Sequence, residues 1–391
     1  MSGLALADFD RDRQEVGCCS CLGFLRNRYT ELDSLIGGDC DDEDGECGGY
    51  LSEDKQRIPG LPSVDRVICR EIPVKLTAEM TIGEDENGHK MINEYVREFS
   101  IGRGSYGKVV LYRKVTDGKK YAIKAFYKSR LSKIRVTSSE TAWTDVLREV
   151  SIMKFLEHPN IINLIEVIDD PDSDRFFMEK NILIVVLAVL EYVEGEQVCD
   201  ASGQYRGIGE ETSRRRLRDI ISGLIYLHTH GVVHGDIKPE NLLVTKNGAV
   251  KIGDFSISHA FEDDNDLLWR SPGTPVFTAP ECCVGLNYHG KTADIWALGV
   301  TLYCMILGYC PFIGETLQDT YEKIVHGALY IPDDLDPELK ELLCGLLCKD
   351  PSERMTLESA ARHPWVTRET DPLPQSPDKC ICGSSTRNSS C

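Results

Sequence analysis

Two hydrophobic periods share this chain. Val109-Val110-Leu111-Tyr112 is a short apolar run of strand type, and Thr116-Asp117-Gly118 follows as a hairpin turn signal. The next strand, Tyr121-Ala122-Ile123-Lys124, ends on a cation. The period then changes. From Ser138 to Leu156 the spacing predicts a helix with Val146, Val150 and Met153 on one stripe. Leu217, Ile221, Leu224 and Leu227 form a second stripe before His228, and Gly231 is its stop signal. Ala249-Val250-Lys251-Ile252 reads as a strand, and Asp294 to Gly308 as a buried helix. Strands with one helix, then mostly helices, predict an α+β chain. An antiparallel sheet with one helix is expected over 95–192 and a mostly helical part over 193–366. A poorly ordered acidic segment is expected over 1–90 and a flexible tail over 367–391.

The polar residues between these elements carry the chemistry. Gly102-Arg103-Gly104-Ser105-Tyr106-Gly107-Lys108-Val109 contains a GxGxxG pattern. Dinucleotide sites use the same pattern, but there the glycines open a helix. Here they lead into a strand and a hairpin, which describes a flap over nucleotide phosphates. A second half of the site follows. His234-Gly235-Asp236-Ile237-Lys238-Pro239-Glu240-Asn241 reads as a catalytic loop, and Asp254-Phe255-Ser256 comes directly after a strand. Phosphoryl transfer needs an in-line hydroxyl, neutralised phosphate oxygens and a carboxylate beside the nucleophile. Asp236 would orient the hydroxyl and accept its proton, and Lys238 would reach the γ-phosphate of ATP. Asn241 and Asp254 would hold Mg²⁺. Lys124 would bind the α- and β-phosphates, with Glu149 holding its ammonium group. Taken alone, Glu149 reads better as a solvated glutamate on an amphipathic helix. The order flap, Lys, Glu, catalytic loop, Asp-Phe reverses that reading.

Later landmarks agree. Gly273-Thr274-Pro275 precedes Ala279-Pro280-Glu281, and Arg354 is a candidate partner for Glu281. From about Tyr95 to Trp365 the chain resembles the eukaryotic protein kinases. Three features narrow this: His234-Gly235-Asp236, Phe255-Ser256, and the run from Arg270 to Cys283. They are similar to the plant geminivirus Rep-interacting kinases, which resemble calcium/calmodulin-dependent kinase kinases. The resemblance implies a bilobal fold, ATP and Mg²⁺ as cofactors, and a protein substrate. That substrate would be the activation-loop threonine of an AMPK-like energy-sensing kinase. Lys238 with Thr274 marks serine/threonine specificity by the same resemblance. It also puts Ile101, Ala122, Glu191, Val193 and Leu243 with the glycine flap around ATP, the hinge at Glu191 to Val193 and the gatekeeper at Leu190. Between Arg175-Phe176-Phe177-Met178 and Leu190 the chain departs from the family. About ten residues, 179–188, exceed the pattern; either a strand is lengthened, a loop or strand is inserted, or the sequence carries extra coding.

The chain has 391 residues and a formal charge of −19. The first 90 residues hold 10 Lys+Arg against 20 Asp+Glu, a net of −10. This balance argues against binding nucleic acid through its phosphates. Sixteen cysteines in a long chain without a signal peptide read as reduced thiols. Cys282, Cys283, Cys304, Cys344 and Cys348 are expected as small core fillers. Cys18, Cys19 and Cys21 are acylation candidates that would recruit the protein to membranes, against the plainer reading of unmodified thiols. Zinc on Cys18, Cys21, Cys40 and Cys47 has only spacing in its favour. No apolar run is long enough to span a bilayer, and a cytoplasmic and nuclear location is expected.

Two other functions compete with an active kinase. A pseudokinase scaffold is suggested by the altered His-Gly-Asp and Asp-Phe-Ser motifs, but every residue the chemistry needs is present. An adaptor built on the cysteine-rich segment would lose its partner on removal of the first 90 residues, whereas a kinase would keep turnover. Gly235 removes an arginine that could clamp a phosphorylated loop, so weak dependence on loop phosphorylation is expected. Thr274 and Ser271 are the phosphosite candidates, with inhibition expected at Thr274.

Overall fold

The computed structural model describes residues 70–104, 106–170, 185–200, 207–261, 265–269, 273–285 and 287–368. Eight strands build the small lobe: β1 (Lys75–Thr77), β2 (Ile82–Glu84), β3 (Lys90–Ile92), β4 (Tyr95–Arg103), β5 (Gly107–Lys114), β6 (Lys120–Tyr127), β7 (Leu164–Asp169) and β8 (Val185–Glu191). Their order in the sheet is β1-β7-β8-β6-β5-β4-β3-β2. All pairs are antiparallel except β1 with β7. The expected disorder up to residue 90 therefore needs correcting. Short strands with few apolar residues hide from a periodicity reading, and β1 to β3 have three residues each. A deletion that spares the sheet must end before Arg70, not at residue 90.

Helix α1 (Ala142–Phe155) packs beside the sheet with Val146, Val150, Ile152 and Met153 buried. It begins four residues later than its apolar spacing suggests. The Thr137 hydroxyl accepts from the amides of Ser139 (3.3 Å) and Glu140 (3.0 Å), so a side-chain turn holds this backbone before helix can form. Thr144 then accepts from the Thr141 amide at 3.0 Å and closes the first turn.

Part of the surplus apolar segment is a central strand. Val185 to Ala188 form the first half of β8, pairing Tyr127↔Val185 through Lys124↔Ala188 with β6. Val186, Leu187 and Ala188 are buried. Arg175 to Met178 and the first six surplus residues, 179–184, lie outside the described residues.

The large lobe is organised by α2 (Glu210–Thr229) and α3 (Gly290–Leu307). Leu217, Ile221, Leu224 and Leu227 are fully buried, as the stripe requires. Trp296 is 0% exposed, stacks on Phe312 at 5.8 Å between centroids, and lies under the Arg354 guanidinium at 5.2 Å. Helices α4 (Leu317–His326) and α5 (Pro337–Leu346) complete the lobe. Cys344 faces solvent on α5, because Leu339, Leu342, Leu343 and Leu346 already fill the buried face. Among the described residues no helix is long and apolar enough to cross a membrane.

The lobes are joined behind the cleft by the loop after α1. Asn160 accepts the Ile252 amide through its carbonyl at 2.8 Å and donates its side-chain amide to the Val250 carbonyl at 2.9 Å. Glu157 donates its amide to the Tyr226 hydroxyl of α2 at 2.9 Å, and His158 stacks on the Tyr226 ring.

Two outcomes follow for stability. Trp296→Ala removes one of two fully buried tryptophan side chains among the described residues and is expected to cost about 3–5 kcal/mol, read as a lower urea midpoint. Burial, then the charges of Lys251 and His230, hold His158 down at about 4, from 6.5. The unfolded chain thus takes up a proton near pH 6.5 and the folded chain only near 4. Stability should fall as pH drops through that window, and urea titrations of His158→Gln should show a shallower fall.

Candidate active site

The ion pair expected between sheet and helix is present and buried. Lys124 Nζ donates to Glu149 Oε1 at 2.6 Å and to Asp254 Oδ1 at 3.3 Å. Lys124 and Glu149 are 4% and 3% exposed. Burial alone would lower the Lys124 pKa, but the charges of Asp254 and Glu149 override it and keep the ammonium protonated. Burial also works against the Asp254 charge; Lys124 overcomes this and holds the carboxyl below its ordinary range. Burial pushes Glu149 up against the pull of Lys124. Its second oxygen, Oε2, is buried without a hydrogen bond. Asp254 has φ of +59°, a left-handed backbone that L residues enter at a cost of about 1–3 kcal/mol, a cost that recurs at functional sites.

The flap lies over this pair. Gly102 and Arg103 at the end of β4 pair with Val109 and Lys108 of β5, and the Gly104 amide donates to the Gly107 carbonyl at 2.8 Å. A Cβ on Gly104 would stand 3.0 Å from Lys124 Cε, and one on Gly107 would stand 2.1 Å from the Ala125 carbonyl oxygen. Gly107 is needed for this close approach of two backbones, and Gly104 leaves room for the Lys124 side chain. Ser105 lies outside the described residues. Ile101 is on β4, and Val109 and Ala122 are on the facing strands β5 and β6. Leu190 pairs with Ala122, Glu191 ends β8, and Val193 follows it, buried. Glu191 accepts from Lys251 Nζ at 2.9 Å and from the Asn163 amide at 2.7 Å, which ties the hinge region to both lobes. Leu243 comes from the large lobe, on strand β9 (Leu242–Val244).

The catalytic loop supplies the other wall. Asp236 Oδ1 accepts from the Thr274 hydroxyl at 2.9 Å and the Thr274 amide at 3.2 Å. Its Oδ2 meets Lys238 Nζ at 2.7 Å, and that ammonium also donates to the Thr274 hydroxyl at 2.6 Å. Asn241 Nδ2 donates to the Asp236 carbonyl at 2.8 Å and to Asp236 Oδ2 at 3.0 Å. The Asn241 amide oxygen is then the atom left for a cation, with the Asp254 carboxylate as the second ligand. A hard oxygen set of one amide and one carboxylate suits Mg²⁺, which takes most of its ligands from water and phosphate. The candidates Asp236, Lys238, Asn241 and Thr274 are thus brought together in one hydrogen-bonded group. Lys124, Glu149 and Asp254 form a second group. Ser271 and the cysteines Cys18, Cys19, Cys21, Cys40 and Cys47 lie outside the described residues.

Two positioning residues, Asp294 and Arg148, escaped the sequence reading, as did the contact by which Tyr106 of the flap meets α1. Asp294, 1% exposed, accepts from the His234 amide (2.9 Å), the Gly235 amide (2.8 Å) and His228 Nε2 (2.9 Å), and so fixes the start of the catalytic loop. Its acid character was visible in Asp294-Ile295-Trp296, but its distant partners were not. Tyr106, at the flap, donates its hydroxyl to Asp145 of α1 at 2.6 Å. Arg148, 3% exposed, holds Asp145 at 2.7 Å and Glu140 at 2.6 Å. Gly235 also has a role beyond the missing arginine: its φ is +80°, a conformation suited to glycine. The expected partner of Glu281 is in place, with Arg354 making two bonds at 2.7 and 2.8 Å.

A cleft between a strand lobe and a helical lobe, with a buried Lys–Glu pair, a glycine flap and an Asp–Lys–Asn loop, defines a protein kinase. The family model for the protein kinase domain matches residues 95–366, and the chain belongs to that family. It is 60% identical over 334 residues to the serine/threonine-protein kinase GRIK1 of Arabidopsis thaliana, covering 84% of this chain and 82% of that one. It is 63% identical over 311 residues to GRIK2 of the same plant, covering 79% and 74%. A more distant relative is the calcium/calmodulin-dependent protein kinase kinase of Caenorhabditis elegans, 35% identical over 391 residues, covering 94% and 69%. The chain is a serine/threonine protein kinase.

The Tyr106–Asp145 bond couples flap to helix. Tyr106→Phe removes only that hydroxyl and is expected to raise KM for ATP about threefold to tenfold, from the net worth of an ordinary hydrogen bond. Steady-state kinetics at varied ATP measure it.

Proposed function

We propose that this kinase transfers the ATP γ-phosphate, with Mg²⁺, to the activation-loop threonine of an AMPK-like energy-sensing kinase. The observation that carries phosphoryl transfer to an alcohol is the Asp236–Lys238–Thr274 group. Its carboxylate stands where an acceptor hydroxyl can be oriented and deprotonated, beside an ammonium that can follow the transferring phosphoryl charge. Bound Mg²⁺, held by Asn241 and Asp254, would neutralise phosphate charge. Lys124, fixed by Glu149, binds the α- and β-phosphates, and the glycine flap excludes water above them. Adenine pairs with the backbone from Glu191 to Val193. The choice of an AMPK-like substrate is supported by high identity to two plant kinases of the same group.

The pseudokinase reading is disfavoured because the required side chains are also assembled in space. Thr274 is engaged by both Asp236 and Lys238, so a phosphate there would break the group it completes; we propose that modification of Thr274 inhibits. The protein acts in the cytoplasm and nucleus, and reaches membranes only if Cys18, Cys19 or Cys21 is acylated.

Incubation of the kinase with a catalytically dead AMPK-like catalytic domain, ATP and Mg²⁺, followed by site mapping, tests this. Label is expected on the activation-loop threonine, and Asp236→Ala should lower the rate by about 10²–10⁴-fold. Label on casein but not on the AMPK-like domain would overturn the substrate and leave the kinase chemistry standing.

A further inference from the structure

Residues 70–92 precede the stretch that the kinase family model matches, yet they are built into the small lobe. They form a strap that touches both edges of the sheet, β1 beside β7 and the β2–β3 hairpin beside β4. Its entry residue is the informative one. The Arg70 side chain is 4% exposed. Its Nη1 donates to the carbonyls of Met153 (3.3 Å) and Leu156 (3.1 Å). Its Nη2 donates to the Leu164 carbonyl (2.8 Å) and to Asn163 Oδ1 (3.4 Å), and its Nε to the Ile72 carbonyl (2.9 Å).

Met153 lies in the last turn of α1, and Leu156 is its C-terminal cap. The last carbonyls of a helix have no partner within it, and they carry the negative end of its dipole. A guanidinium there satisfies them and matches the charge. The same group reaches β7 through Leu164. One planar side chain thus pins the end of α1 to the sheet. Beside it, the Glu71 amide donates to Glu157 Oε2 at 2.9 Å, and that carboxylate is 3.9 Å from Arg70 Nε.

The rest of the strap is fastened by a buried carboxylate. Glu166 on β7 is 1% exposed. It accepts from the Thr77 hydroxyl (2.5 Å) and meets Lys75 Nζ (2.9 Å) through Oε1, and accepts from the Tyr95 hydroxyl (2.7 Å) through Oε2. Two of these three partners belong to the strap. Without them a buried charge would keep only the Tyr95 hydroxyl and lose its ammonium partner, which is strongly unfavourable.

Glu149 lies six residues before the end of α1, about 9 Å along the axis. Its carboxylate must meet Lys124 at hydrogen-bond distance, so a small shift of the helix end breaks the pair. We propose that Arg70 is a positioning residue for phosphoryl transfer: by pinning the end of α1 it holds Glu149 against Lys124. The strap is therefore part of the catalytic unit, although it carries no group that touches substrate. This goes beyond the substrate assignment and does not depend on it.

The test uses the full chain with ATP, Mg²⁺ and casein as a generic acceptor. Four proteins are compared at a temperature where circular dichroism shows each folded: Arg70→Met, Arg70→Lys, Glu149→Gln and the Arg70→Met/Glu149→Gln double variant. Arg70→Met should lower kcat/KM for ATP about tenfold, and Arg70→Lys, which keeps the charge but loses the planar fork, about threefold. In the Glu149→Gln background Arg70→Met should cost less than about twofold more, because the pair it serves is already gone. A lowered melting temperature with unchanged kinetics, or a full additive loss in the double variant, overturns the proposal. Should Arg70→Met not fold, Arg70→Lys alone decides: kcat/KM for ATP equal to wild type overturns it.

Discussion

The structure depends on an ammonium group taken out of water between two carboxylates. Lys124 is on the sheet, Glu149 on α1 and Asp254 in the large lobe, so one cation joins three elements and both lobes. Burying these charges is costly, and removing one partner of such a pair typically costs about 3–5 kcal/mol. Such an arrangement is poor as a stabiliser and good as a sensor of geometry. It is satisfied when α1 is close to the sheet and Asp254 faces the cleft. The orphan Glu149 Oε2 and the left-handed Asp254 backbone show that strain is concentrated there.

The surroundings make that geometry hold. Apolar packing of Val146, Val150 and Met153 sets the helix against the sheet, but packing has no direction along the axis. Polar contacts supply it. Asp145 and Arg148 fasten the first half of α1 to the flap and to Glu140, and Arg70 fastens the end. The loop beyond is tied to the large lobe through Asn160 and Tyr226. Opposite, Asp294 sets the catalytic loop by accepting two successive amides. The reacting groups are side chains held by hydrogen bonds on a scaffold fixed from several sides, which is what electrostatic catalysis requires.

Much of this was legible in the chain because it is local. The glycine flap, Lys124, the Asp236–Asn241 loop and Asp254 sit in short motifs whose spacing reflects the reach of one loop or hairpin. The stripes at Val146 and Leu217 gave the two helices because burial imposes a 3.6-residue period. What could not be read were contacts across long separations. Arg70 and Leu164 are 94 residues apart, and His234 and Asp294 are 60 apart. Strands of three residues have no measurable period, so the strap looked like an extension of the acidic segment before it. Before α1, Thr137 competes locally for the backbone, which hydrophobic spacing does not report. The Val185–Ala188 run was ambiguous because a buried strand shows no alternation.

The central claim is that Glu149 acts through Lys124 on the transferring phosphate rather than by supporting the fold. Single-turnover phosphoryl transfer at saturating ATP and Mg²⁺, comparing wild type with Glu149→Gln, tests it most directly. The transfer step is expected to be slower by about 10²-fold in a variant that remains folded. A rate within about threefold of wild type would show that the buried pair does not set the chemistry, and would contradict the account.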